Sequence, residues 1–146
     1  MSKLQTVTKV LQIKDRKKED LKIEVKKAKD TVSREQTFLD TLEKDFENAA
    51  AGYVEKNDGS PIDVRELELY SDYFSQLHKT IDGQKSKVIE KSRELDEKQK
   101  DLFEAHREKK LLEVMQGKIV REDTRLRELT EQKEMDLMFL QKRSRE

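Results

Sequence analysis

Alternating steps of three and four residues from Leu4 pass through Leu4, Val7, Leu11, Lys14, Lys18, Leu21, Val25, Ala28, Val32, Glu35, Leu39, Leu42, Phe46, Ala49 and Tyr53. Twelve of these fifteen are apolar in a stretch that is otherwise mostly charged, and a disordered chain does not hold one heptad phase over that length. The pattern predicts helix one over about residues 3–54. At Lys14 and Lys18, which interrupt the seam with Glu35, a lysine stem can lie along apolar surface while the ammonium reaches water. A second seam runs through Leu67, Tyr70, Phe74, Leu77, Ile81, Gln84, Val88, Lys91, Leu95, Lys98, Leu102, Ala105, Lys109 and Leu112. It predicts helix two over about residues 61–143. Beyond Leu112 the apolar residues spread over a wider face.

Between the seams lies YVEKNDGSPIDV, residues 53–64, with the only proline and one of four glycines. Asn57-Asp58-Gly59 is a turn tripeptide, because Asn and Gly tolerate positive φ. Ser60 suits an N-cap and Pro61 the first helical position, where no N–H is needed, and Asp63 adds first-turn negative charge. The turn is therefore placed at about residues 54–60. These elements give an all-α fold, a single antiparallel two-helix coiled-coil hairpin whose second helix is longer than the first. Bending at residues 57–59 makes facing residue numbers sum to about 117, which sets Leu4 opposite the neighbourhood of Leu112 and Glu113 and leaves an unpaired overhang from about residue 115.

Composition sharpens this picture. Charged residues make up 44% and hydrophobic residues 33% of 146, too little apolar material for an ordinary globule but suited to a long coiled coil. Thirty-two basic residues balance thirty-two acidic ones, so no net field draws the chain to nucleic acid or anionic lipid. The absence of cysteine excludes disulfides and thiolate chemistry. With no apolar run of signal-peptide or membrane-spanning length, the expectation is a cytoplasmic protein that does not insert into the membrane.

A two-helix seam offers no cleft in which catalytic groups converge. His78 and His106 fall about 42 Å apart on one helix and share neither a proton relay nor a metal. No phosphate-binding loop, dinucleotide fingerprint or zinc motif is present. No enzymatic activity, cofactor or metal is expected, and the carboxylates read as a solvated face paired with Lys and Arg. The basic stretch KDRKKEDLKIEVKKAK, residues 14–29, has interleaved acids and no nearby aromatics, so nucleic acid is not an expected partner. EMDLMFLQKRSRE, at residues 134–146, groups Leu137, Met138, Phe139 and Leu140 where no intrachain helix reaches, which marks a contact surface.

The chain resembles the flagellar export protein FliJ and the corresponding proteins of type III injectisomes. ELYSDYFSQLHKTIDGQ (68–84), HREKKLLEVM (106–115) and LTEQKEMDLMFLQKR (129–143) are similar to three family segments in order and spacing. The resemblance implies a helical hairpin similar to the central stalk subunit of rotary F-type ATPases. It implies a non-enzymatic component of the flagellar export apparatus that promotes the hexameric export ATPase (FliI-like), contacts the membrane export gate protein (FlhA-like) and recycles export chaperones. Peripheral association with the cytoplasmic membrane follows through those partners. The gate patch implied by the resemblance comprises Leu39, Leu42, Phe46, Tyr73, Leu77, Thr80 and Gln84; Glu35 stands where the family has glutamine, and Gln84 where it has histidine. The longer second helix then assigns the ATPase contact to Met115, Ile119, Leu126, Met135, Leu137, Met138, Phe139 and Leu140. The alternatives are an injectisome counterpart and a generic tethering coiled coil.

Overall fold

A computed structural model describes every residue except Met1, Ser60, Ile62 and Glu146. The described residues form two α-helices, α1 (Lys3–Lys56) and α2 (Val64–Ser144), the second longer than the first, joined by a turn as a two-helix hairpin. The chain divides into two units: Leu21–Asp101, and residues up to Asp20 together with those from Leu102 onward.

The unit Leu21–Asp101 contains the turn. Asn57 closes α1, donating its backbone N–H and its side-chain Nδ2 to the Tyr53 carbonyl at 3.1 and 2.8 Å. Gly59 follows at φ +80°, a conformation that carries a steric cost for any residue with a Cβ. α2 starts at Val64, three residues later than the Pro61 start expected from proline's preference. The cap is Asp63: its Oδ1 accepts from the Arg65 N–H at 3.1 Å, and its carbonyl accepts from Leu67 at 3.0 Å. A carboxylate satisfies an orphan donor and complements the positive end of the helix, so Pro61 lies outside the helix. The expected Ser60 cap lies outside the described residues.

The later start changes the pairing register. Tyr53 meets Tyr70, Glu35 meets Gln84, and Glu24 meets Lys98. In the other unit Lys14 meets Glu108 and Thr8 meets Gln116. Each pair adds to between 119 and 124 rather than 117. All fifteen expected seam positions of α1 are buried or half-buried, as are those of α2 except Leu67, which is 43% exposed. Leu67 sits in the first turn of α2, and the altered register leaves it uncovered.

The seam is thin. Val25, Leu39, Ile81 and Ala105 are its buried apolar residues, and Gln84 is a buried polar one. Gln84 Nε2 donates to the Glu35 carbonyl at 2.9 Å and to its carboxylate at 2.6 Å. These two polar seam residues are thereby satisfied by each other, which fixes register, since any slip would leave Gln84 buried without a partner. Lys87 adds an ion pair to Glu35 at 3.4 Å. In the unit that includes the start of α1, the seam lysine Lys14 pairs with Glu108 at 2.7 Å, so its ammonium finds a carboxylate rather than water alone. Ser2 and Gln5 form a reciprocal capping box at the start of α1: each backbone N–H donates to the other's side-chain oxygen at 3.2 Å.

Candidate functional site

Two surfaces stand out, one in each unit. The first is aromatic and lies near the turn. Phe74 is its hub, with ring centroids 5.4 Å from Phe46, 5.7 Å from Tyr73, and 6.3 Å from both Tyr53 and Tyr70. Tyr53 and Tyr70 meet edge to face at 4.7 Å, and the Lys56 ammonium lies 5.9 Å from the centre of the Tyr70 ring. Lys56 also pairs with Glu66 across the turn at 2.8 Å. Lys56, Glu66, Leu69, Tyr70 and Tyr73 line an open groove of about 420 Å³. A smaller hollow of about 220 Å³ lies along Phe46, Glu47, His78, Ile81 and Lys85.

The residues expected at the gate contact all fall in this unit but do not present one uniform surface. Tyr73 and Thr80 are exposed, Leu42, Phe46 and Leu77 are half-buried, and Leu39 and Gln84 are buried in the seam. Leu39 and Gln84 therefore belong to the seam, while Tyr73 and Thr80 are open to solvent. Lys56, Glu66 and Leu69 went unremarked in the sequence because the groove forms only once Asp63 sets the start of α2.

The second surface is α2 beyond the reach of α1. Gln116 Nε2 still donates to Thr8 Oγ1 at 3.2 Å and Ile119 is half-buried. From Val120 to Arg145 every residue is exposed. The uncovered stretch thus starts near 120 instead of 115, because the register shift carries the α1 terminus further along α2. Of the expected ATPase-contact residues, Ile119 is half-buried and Met115 is 51% exposed on a stretch that α1 still accompanies, while Leu126, Met135, Leu137, Met138, Phe139 and Leu140 lie on bare helix, 57–70% exposed. At 100° per residue these split into opposite faces. Leu126, Leu137 and Leu140 continue the seam, with Leu129 at its edge; Met135, Met138 and Phe139 lie on the far side.

Electrostatics is modest and local. The hydrogen bond from Gln84 holds the Glu35 carboxyl below its ordinary value, aided by the charge of Lys87 and opposed by burial. His106 is half-buried, and the nearby Lys18 ammonium lowers its pKa. His78 is exposed and lies 3.3 Å from Asp82 one turn on. Among the described residues no His/Cys/Asp/Glu cluster could hold a metal ion, and no helix is long and apolar enough to cross a membrane.

The family described as the flagellar FliJ protein matches residues 2–145. No curated protein and no solved structure matches the chain. The match is to the flagellar family, which favours the flagellar over the injectisome reading. With nearly its whole length matched and its two helices as expected, the chain belongs to the FliJ family of flagellar proteins associated with type III export.

Proposed function

We propose that this chain is a non-enzymatic regulator of flagellar protein export. It promotes assembly and activity of the hexameric export ATPase through α2 beyond Val120. It contacts the membrane export gate protein through the aromatic surface near the turn, and it hands back export chaperones. It acts at the cytoplasmic face of the membrane, held there by its partners.

The observation that carries this reading is the uncovered end of α2, apolar on two opposite faces. A partner that touches one side of a helix needs one stripe. A helix with apolar residues on opposite sides suits a partner that surrounds it, as a ring of subunits does. The turn-proximal surface supports a separate contact, because aromatic side chains flanked by charge are the usual anchors of a docking patch.

The test is the ATPase rate of the cognate export ATPase with the full chain and with a chain lacking residues 130–146. Stimulation is expected from the full chain only, while binding to the gate protein is kept by both. Unchanged stimulation by the shortened chain, or equal loss of both properties, contradicts the proposed division.

A further inference from the structure

The uncovered helix keeps the phase of the covered one. Extending the α2 seam from Leu112 by the same steps passes through Gln116, Ile119, Asp123, Leu126, Thr130, Lys133, Leu137 and Leu140. α1 covers Gln116 and half-buries Ile119; from Asp123 onward the seam is bare. From this continuity we infer that a second copy of this chain covers the bare seam, the two α2 ends pairing antiparallel between Asp123 and Leu140.

Side-chain complementarity selects this occupant and its direction. In an antiparallel pair each first seam position of a heptad faces a second one of the partner helix. Leu126 then packs on Leu137 of the second copy and Leu137 on its Leu126, while Lys133 stacks its stem beside Thr130 and Asp123 lies at the outer edge near Leu140. One flanking pair matches in charge: Arg127 faces Glu134 of the second copy, a pairing that occurs twice by the two-fold symmetry. A parallel pair would instead oppose Asp123 to Asp123 and Lys133 to Lys133, like charges at the interface.

Intrachain competition for these charges is low: among the described residues no ion pair lies along α2 beyond Lys109–Glu113. The antiparallel register brings Leu140 of the second copy level with Asp123, so the paired stretch begins just past the start of α1 at Lys3. With two leucine layers and a polar centre the association is weak and reversible. It hides the Leu126 face while leaving Met135, Met138 and Phe139 on the outside. Self-pairing is independent of the ATPase reading and goes beyond it: it withholds one face of the helix from any other partner until the second copy is displaced.

Sedimentation equilibrium of the full chain from micromolar to millimolar concentration tests this. A reversible monomer–dimer equilibrium is expected. Arg127→Glu and Glu134→Arg each turn two attractive pairs repulsive and weaken the dimer about tenfold. Residues 127 and 134 are two turns apart on their own helix and out of each other's reach. Recovery of dimerisation in the R127E/E134R double variant, to within about twofold of wild type, is therefore expected only from pairing between copies. The chain has no native cysteine, so Leu126→Cys and Leu137→Cys report direction. Disulfide-linked dimers are expected when the two variants are mixed and oxidised, and not from either alone. A strictly monomeric chain at millimolar concentration, a double variant no tighter than the single ones, or self-linking of Leu126→Cys overturns the inference.

Discussion

Phe74 and Phe139 sit on the same helix, yet their surroundings have nothing in common. Phe74 is ringed by Phe46, Tyr53, Tyr70 and Tyr73. Phe139 is 65% exposed and lies on a stretch where every residue from Val120 to Arg145 is exposed. The seam phase of α2 is unbroken between the two regions. What differs is the presence of α1, which covers α2 up to Ile119 and no further. An apolar seam is a demand for a partner: near the turn α1 meets it, and beyond residue 120 the described residues leave it bare.

The largest expected effect comes from alanine in place of the hub. Phe74→Ala removes four ring contacts from a half-buried site and is expected to cost about 2–3 kcal/mol of folding stability. Phe139→Ala is expected to change monomer stability by less than about 0.5 kcal/mol. Urea unfolding followed by helical circular dichroism measures both. Similar losses at the two positions would erase the distinction between the regions.

Next comes the polar bridge of the seam. Gln84→Ala leaves the Glu35 carbonyl and carboxylate without their shared donor and is expected to cost about 1–2 kcal/mol. It also alters the acid response. Because the fold favours ionised Glu35, its contribution is present at neutral pH and is lost as pH falls below the ordinary value of 4.5 and through the lowered folded value. Gln84→Ala removes the largest cause of that lowering, so the loss of stability between neutral pH and the acid range should be shallower than in the wild type. Acid profiles that superimpose would show that Glu35 owes its lowered pKa to something else.

The start of α2 depends on Asp63. Asp63→Ala removes the acceptor for the Arg65 N–H and is expected to cost about 1 kcal/mol, with the loss confined to the start of α2 in amide exchange. The smallest effect has the opposite sign. A Cβ at Gly117 would make only an ordinary contact, 3.9 Å from the Arg121 guanidinium, so Gly117→Ala is expected to stabilise the protein by up to about 1 kcal/mol through helix propensity. A net loss there would mean that the helix needs the glycine's freedom where its cover ends.

Much of this molecule is written in its hydrophobic spacing. The α1 seam was legible at every position, Lys14, Lys18 and Glu35 included, because a phase held from Leu4 to Tyr53 admits one face only. The start of α2 was not. Pro61 and Asp63 both offer start signals within three residues, and proline's tolerance at the first helical position pointed to the earlier one. The carboxylate won because it accepts a hydrogen bond that proline cannot supply. That choice shifted the register, and the shift hid the Gln84–Glu35 bridge: the expected register set Glu35 opposite residue 82. The same shift moved the boundary of the uncovered helix from about 115 to 120 and half-buried Ile119. The burial of Leu39 and Gln84 within the expected gate patch follows from their seam positions; what spacing does not say is how far the flanks close over a seam residue, which separates these two from half-buried Leu42, Phe46 and Leu77.

The most direct test is residue-resolved amide hydrogen exchange of the free monomer, read along α2 alone. Protection is expected to be high from about Tyr70 through Leu112, to fall near Ile119, and to be close to that of an isolated helix from Val120 onward. Protection that continues undiminished to Leu140 in a dilute monomer, or that is already lost by Leu95, would contradict a helix covered by α1 on one side of residue 120 and bare on the other.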